Sequence, residues 1–139
     1  MKVAFAGTPE FAATILRGLL DSAHEVALVI SQPDARRGRG RKTTKPPVAD
    51  AALAAGILLR QPARISDVNR EISTQDALVV AAYGQILRPG TLHAATHGAY
   101  NVHASILPFY RGAAPIERAI MAGETHSGIS IMSMDEGLD

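Results

Sequence analysis

At 139 residues and 47% hydrophobic composition, the chain suits one domain burying roughly two thirds of its unfolded surface and leaves no room for a second complete domain. No run approaches the roughly 18 apolar residues of a membrane span, and Met1-Lys2-Val3-Ala4-Phe5-Ala6 leads directly into strand-like sequence instead of a cleavable signal, so a soluble cytoplasmic protein is expected. Zero cysteines exclude disulfides and thiolate chemistry, in keeping with a reducing compartment, and a net charge of +1 excludes a uniformly basic surface.

Val3 to Ala6 form a short apolar run with a turn at Gly7. Thr8 then stands as an N-cap, Pro9 at the first helical position and Glu10 in the first turn, so a strand feeds a helix. Phe11, Ile15, Leu19 and Leu20 recur at helical spacing, the helix gives out near Ser22, and Val26-Ala27-Leu28-Val29-Ile30 is a second, buried strand. Next come a helix from about Pro47 to Ala55 and short strands at Ile57-Leu58-Leu59 and Ala77-Leu78-Val79-Val80-Ala81. No metal is expected at His93 and His97, the one histidine pair four apart, because no carboxylate lies nearby. Strands at Tyr100-Asn101-Val102-His103 and Ile129-Ser130-Ile131-Met132 flank a helix from Pro115 to Met121, with Ile116 and Ile120 on its apolar face. Alternating strands and helices predict a doubly wound, mainly parallel α/β sheet with Rossmann-like topology.

Open parallel sheets bind ligands beyond the carboxyl ends of their strands, and the unusual segments fall there. They are Gly7-Thr8-Pro9, Gln32-Pro33-Asp34, Ala82-Tyr83-Gly84, His103-Ala104-Ser105 and residues 134–139. Tight turns explain some of these taken singly; their convergence on one edge is better explained by a site. Asn101, His103 and Ser105 stand two apart, sharing a strand face that is either a solvated polar edge or a reaction centre. A dinucleotide cofactor is disfavoured: Gly7-Thr8-Pro9-Glu10-Phe11-Ala12 lacks the G-x-G-x-x-G spacing and sets a carboxylate at the helix start. Charge is strongly asymmetric, since Arg36, Arg37, Arg39, Arg41, Lys42 and Lys45 put six of fourteen basic residues within ten positions. That leaves eight basic against thirteen acidic residues elsewhere, a net −5, so a polyanion could be held only on this segment. A merely solvated loop is the alternative.

Together with Val80-Ala81-Ala82-Tyr83-Gly84, residues 101–108, Tyr110-Arg111-Gly112-Ala113-Ala114-Pro115-Ile116 and residues 134–139, the Gly7 and Gln32 segments resemble the methionyl-tRNA formyltransferase family over almost the whole chain. The Asn-x-His and Ser-x-Leu-Pro elements are shared more widely among folate-dependent formyltransferases, including those acting on glycinamide ribonucleotide and on sugar nucleotides. The resemblance implies transfer of a formyl group from 10-formyltetrahydrofolate, a co-substrate, to the α-amino group of initiator methionyl-tRNA for translation initiation, without a metal and by a monomer. It implies that Asn101 and protonated His103 donate to the developing oxyanion, while Asp139 stabilises the imidazolium and helps relay the proton. Ala82, Tyr83, Gly84, Ile86, Leu87 and Met134 match the folate walls, with core packing the alternative for Ile86 and Leu87. Ser105, Leu107 and Pro108 would support the turn, Ser105 structurally rather than as an acyl carrier, and Leu107-Pro108 matches a bond that is cis in the superfamily.

Arg36, Arg37, Arg39, Arg41 and Lys42 correspond to the family's tRNA-binding insertion, Arg39 being the arginine that enters the weakly paired end of the acceptor stem. Glycines in this loop let arginines approach phosphates closely, and no aromatic interleaves them for base stacking. Two rivals stay open: another folate formyltransferase acting on a small amine or sugar nucleotide, and a non-catalytic RNA-binding module. By the same resemblance residues 1–139 are an amino-terminal, partial formyltransferase domain, without the family's C-terminal β-barrel.

Overall fold

The computed structural model describes residues 1–40 and 42–137, the side chain of Arg37 excepted. Its strands and helices run in the order β1 (Lys2–Gly7), α1 (Glu10–Leu20), β2 (Glu25–Ile30), β3 (Ala35–Arg37), β4 (Lys42–Thr44), α2 (Pro47–Ala54), β5 (Leu59–Arg60), α3 (Asn69–Ile72), β6 (Ala77–Ala81), α4 (Pro89–Leu92), β7 (Ala99–His103), α5 (Pro115–Met121) and β8 (Ser130–Ser133). A 3-10 turn at Ile65–Val68 precedes α3. Six strands form one sheet in the order β5-β2-β1-β6-β7-β8, parallel except for β8, which runs antiparallel to β7. The expected α/β architecture is therefore present.

Side-chain alternation explains why the sheet is covered on both faces. Val3 and Phe5 of β1 and Ala77 and Ala81 of β6 meet Ala12, Ala13 and Leu16 of α1 and Val48 and Ala52 of α2. Their neighbours Ala4, Ala6, Leu78 and Val80 point the other way, toward Ile65, Val68, Ile72 and Leu92. Two-sided burial is what turns these strands into continuous apolar runs. A bulge adds one refinement: the ladder steps from Val3↔Val26 to Ala4↔Leu28, skipping Ala27 and turning Val26 to the same face as Val29. Full burial of Phe5, Leu16, Leu28 or Leu78 stabilises the fold by roughly 1.5–3 kcal/mol each.

Several expectations are corrected. Thr8 does not cap α1; Pro9 occupies the cap position, the helix starts at Glu10, and the Thr8 hydroxyl donates to the Tyr83 carbonyl at 2.7 Å. The short strand near residue 58 lies two positions later, at Leu59–Arg60, because Leu59 and Arg60 pair with Val29 and Ile30 while the Ile57 amide is tied back to the Ala52 carbonyl. The last strand begins at Ser130 instead of Ile129, in register with His103. On α5, Ala119 is buried, whereas Ile116 is 43% and Ile120 71% exposed, so the anticipated apolar face is not packed. The helices at residues 69–72 and 89–92 are too short to produce a readable period. The basic loop is a hairpin, with Ala35, Arg36 and Arg37 paired antiparallel to Thr44, Thr43 and Lys42, and Gly38 at φ +78° in its turn.

Candidate active site

Two central strands, β6 and β7, lie side by side with Val80 opposite Asn101, and their carboxyl ends open into a cavity of about 540 Å³. Asn101, Val102, His103 and Ala104 form one wall, the turn Ala82-Tyr83-Gly84 with Leu87 another, and Met134 a third. The turn leading into α5 completes the enclosure through Gly112, Ala113, Ala114, Pro115, Ile116 and Glu117. That volume falls within the range of small-ligand sites, and mostly apolar walls with a few convergent polar groups are their usual lining.

The turn after β6 follows from its backbone. Ala82 has φ +44° and Gly84 φ +98°, and this tight turn lines the cavity. Its central carbonyl, that of Tyr83, accepts from Thr8 Oγ1 at 2.7 Å and Gln32 Nε2 at 3.2 Å. Gln85 braces the same region: its Nε2 donates to Gln32 Oε1 at 3.3 Å and to the Ala63 carbonyl at 2.9 Å, and its Oε1 accepts from the Ile65 amide. The loops after β1, β2 and β6 are thus joined by one polar network. The Tyr83 ring turns inward into the core, where burial pushes the phenol up to about 12. Ile86 is 85% exposed and absent from the cavity wall, whereas Leu87 is buried and contributes to it. The structure therefore separates two neighbours that the sequence groups together, because their side chains leave the turn in opposite directions.

Of the three polar residues near the end of β7, Asn101 and His103 line the cavity and Ser105 does not. His103 is 5% exposed, and its Nε2 lies 3.0 Å from the Tyr110 carbonyl oxygen. Ser105 lies past the strand, fully buried, donating to the Phe109 carbonyl at 2.7 Å. Ser130 of β8 donates to the Ser105 carbonyl at 2.8 Å and accepts from the Leu107 amide, so strand and turn are pinned together. The Leu107-Pro108 peptide is cis. Asp139 and Arg41 lie outside the described residues, as does the Arg37 side chain. Arg36, Arg39 and Lys42 are exposed on the hairpin. Asp34 secures its base, accepting from Gln61 at 2.7 Å and from Lys45 at 3.0 Å. The Gln61 hydrogen bond, reinforced by Lys45, holds the Asp34 carboxyl below its ordinary value of 3.8.

The formyl transferase family profile matches residues 1–139, all of this chain. The chain belongs to the formyl transferase family. Methionyl-tRNA formyltransferase from Rubrobacter xylanophilus is 73% identical over 139 residues, and that from Marinobacter nauticus 49% identical over 143. Each alignment covers 100% of this chain but only 45% and 46% of those proteins, so the chain spans a little under half of their length. Among solved structures, phosphoribosylglycinamide formyltransferase from Anaplasma phagocytophilum superposes with a TM-score of 0.74 at 23% identity, over 100% of this chain and 67% of that one. A formyltetrahydrofolate deformylase from Pseudomonas syringae pv. tomato gives 0.72 at 24% identity, over 99% and 47%. These two likenesses concern the fold.

Sequence reading noted Gln32 and Tyr110 only as members of longer motifs, with no role for either, and missed Gln85, which braces the turn after β6 with Gln32, and Glu124, which accepts from the Tyr110 hydroxyl. Glutamine in a loop has no distinctive spacing, and Tyr110 acts through its backbone, which no side-chain motif reports. Among the described residues no helix is long and apolar enough to cross a membrane.

Proposed function

We propose that the chain is the formyl-transferring part of a methionyl-tRNA formyltransferase, and that residues 1–139 constitute its partial N-terminal domain. The supporting observation is that Asn101 and His103 line one cavity together with the turn at residues 82–84 and Met134. Apolar walls from Val80, Leu87 and Met134 beside the polar side chains of Asn101 and His103 suit a flat, hydrogen-bonding pterin, so the lining fits 10-formyltetrahydrofolate. That co-substrate supplies the formyl group. Ala82, Tyr83, Gly84, Leu87 and Met134 would hold it, the Tyr83 contribution being its peptide group and not its inward-turned ring.

Transfer forms a bond between the incoming amine nitrogen and the formyl carbon and breaks the bond from that carbon to N10, with the amine's proton passing to N10. Asn101 would donate from its amide, and His103 from its ring, where negative charge grows on the formyl oxygen. Asp139 would stabilise the positively charged imidazole and help move the proton. Ser105 needs no covalent role, since its hydroxyl already fixes the Phe109 carbonyl. Initiator methionyl-tRNA would be gripped by Arg36, Arg37, Arg39, Arg41 and Lys42, and the cellular setting would be translation initiation in the cytoplasm by a monomer. Pairing of Ala35, Arg36 and Arg37 with Thr44, Thr43 and Lys42 holds that backbone in one place better than a flexible loop would, reducing the ordering needed on binding.

Formyl transfer by the complete protein to methionyl-tRNA, compared with small amines and sugar nucleotides, tests the substrate. Asn101→Ala is expected to lower kcat by about 10²–10³. Unchanged transfer by His103→Ala would overturn the catalytic assignment. Arg39→Ala should weaken tRNA binding and reduce the salt slope of log K by about 1; an unaltered slope would remove the phosphate contact.

A further inference from the structure

Hydrogen bonds run in series from the base of the basic hairpin to the turn that walls the cavity. Asp34 stands one residue before β3 and Lys45 one residue after β4, and Lys45 Nζ donates to Asp34 Oδ2 at 3.0 Å, closing the hairpin's open end. The other carboxylate oxygen, Oδ1, accepts from Gln61 Nε2 at 2.7 Å. That same nitrogen donates to the Gln32 carbonyl at 3.0 Å. A primary amide nitrogen carries two hydrogens, so it serves both acceptors at once. Gln32 continues the series with its own side chain, which donates to the Tyr83 carbonyl at 3.2 Å.

These partners come from distant parts of the chain, since Gln61 follows β5 and Tyr83 follows β6. Lys42, Thr43 and Thr44 of β4 are all exposed, so the two-stranded hairpin lacks a packed face and takes its direction from what holds its base. The turn at residues 82–84 has further braces in Thr8 and Gln85, but neither bonds to Asp34 or Lys45. Among the described residues Gln61 is the side chain bonded both to Asp34 and to the Gln32 backbone.

We propose that Gln61 is a positioning residue that couples the two substrate sites: through Asp34 it fixes the basic hairpin and through Gln32 the turn at residues 82–84, so that a polyanion seated on the hairpin tightens folate binding at the turn. This rests on the reading of the hairpin as the tRNA contact and of the turn as a folate wall. A unit already ordered by one ligand leaves less ordering for the second to supply. Linkage makes the effect reciprocal, folate tightening tRNA by the same factor. A brace that served stability alone would not make one affinity depend on the other ligand.

The test measures binding to the complete protein by calorimetry, with tetrahydrofolate, which has no formyl group to transfer, and initiator methionyl-tRNA as probes. The Kd for tetrahydrofolate should be about 5-fold lower with tRNA bound than without it. Gln61→Met should bring that ratio to about 1, and so should Asp34→Ala, which releases Gln61 from the hairpin and serves if the first variant folds poorly. Gln85→Met loosens the turn without touching the hairpin, so it should raise both Kd values and preserve the ratio. A native ratio of 1 overturns the proposal, as does a ratio that survives in Gln61→Met or Asp34→Ala. Amide chemical shifts of Tyr83 to Gln85 in Asp34→Ala, without either ligand, separate this from the substrate reading. If they move but tRNA does not bind, the tRNA assignment fails and the tie through Gln61 stands; if they stay fixed, the tie fails whatever the hairpin binds.

Discussion

Tyr83 and Gly7 show how much a single residue's surroundings decide. The Tyr83 hydroxyl is buried and has no hydrogen-bond partner among the described residues. Desolvating a hydroxyl without a partner costs about 1–3 kcal/mol, so Tyr83→Phe should leave stability unchanged or raise it by up to about 1 kcal/mol. Urea unfolding checks this, and a loss above about 1 kcal/mol would reveal a partner for the hydroxyl. Gly7 presents the opposite case. A Cβ there would stand 2.7 Å from Ala12 Cβ, 2.8 Å from the Phe5 ring and 2.9 Å from the Ala81 carbonyl. The neighbouring strand's backbone cannot give way cheaply, so Gly7→Ala should cost about 1–3 kcal/mol in the same measurement. The sequence suggests a turn at Gly7; the structure adds that its glycine provides space at the point where α1 and β6 crowd β1.

At the level of elements, the basic hairpin is the largest difference between expectation and structure. Its composition reads as a charged, glycine-containing loop, because strand signals rest on apolar alternation and a two-stranded ribbon without a buried face has none. Its base depends on Asp34, whose carboxyl is held below 3.8 by Gln61 first and Lys45 second. A depressed carboxylate contributes attachment above its ordinary value, and the contribution is lost as pH falls through the lower folded value. The amide chemical shifts of residues 35–44 should accordingly stay constant from about pH 8 to 5 and move below 3.8. Asp34→Asn should abolish that acid transition; its persistence in the variant would assign it to another group. The helix α5 teaches a different lesson. Ile116 and Ile120 stand at helical spacing, yet spacing shows only that two residues share a stripe and not that anything covers it.

Over the whole molecule, two unlike surfaces result. One end of the sheet is concave and holds the cavity, while β8 at the sheet edge exposes Ile131 at 66%, α5 exposes Ile120 at 71% and Met121 at 85%, and the turn after β7 exposes Phe109 at 66%. An open strand edge beside exposed apolar side chains favours association. Ile120→Lys combined with Ile131→Lys should therefore reduce self-association of this chain, measured by sedimentation across a concentration series. Equal association with and without the substitutions would place the sticky surface elsewhere.

The strands β1, β2, β6 and β7 and helices α1, α2 and α5 were legible to within a few residues because two-sided burial writes itself into the chain as apolar runs, and helix starts as proline at residues 47 and 115. The candidate site was legible as far as residue types: an amide and an imidazole two apart at a strand end. Their shared position on one cavity wall required β6 and β7 to be neighbours, although Ala81 and Ala99 stand 18 positions apart in the chain. Only tertiary structure could separate Ile86 from Leu87, turn Thr8 from a cap into a brace, or set the Tyr110 carbonyl against His103. Local sequence specifies periodicity and turn chemistry, which act over a few residues. The direction of a carbonyl and the pairing of distant loops depend on which surfaces pack together, and that is settled by the chain as a whole.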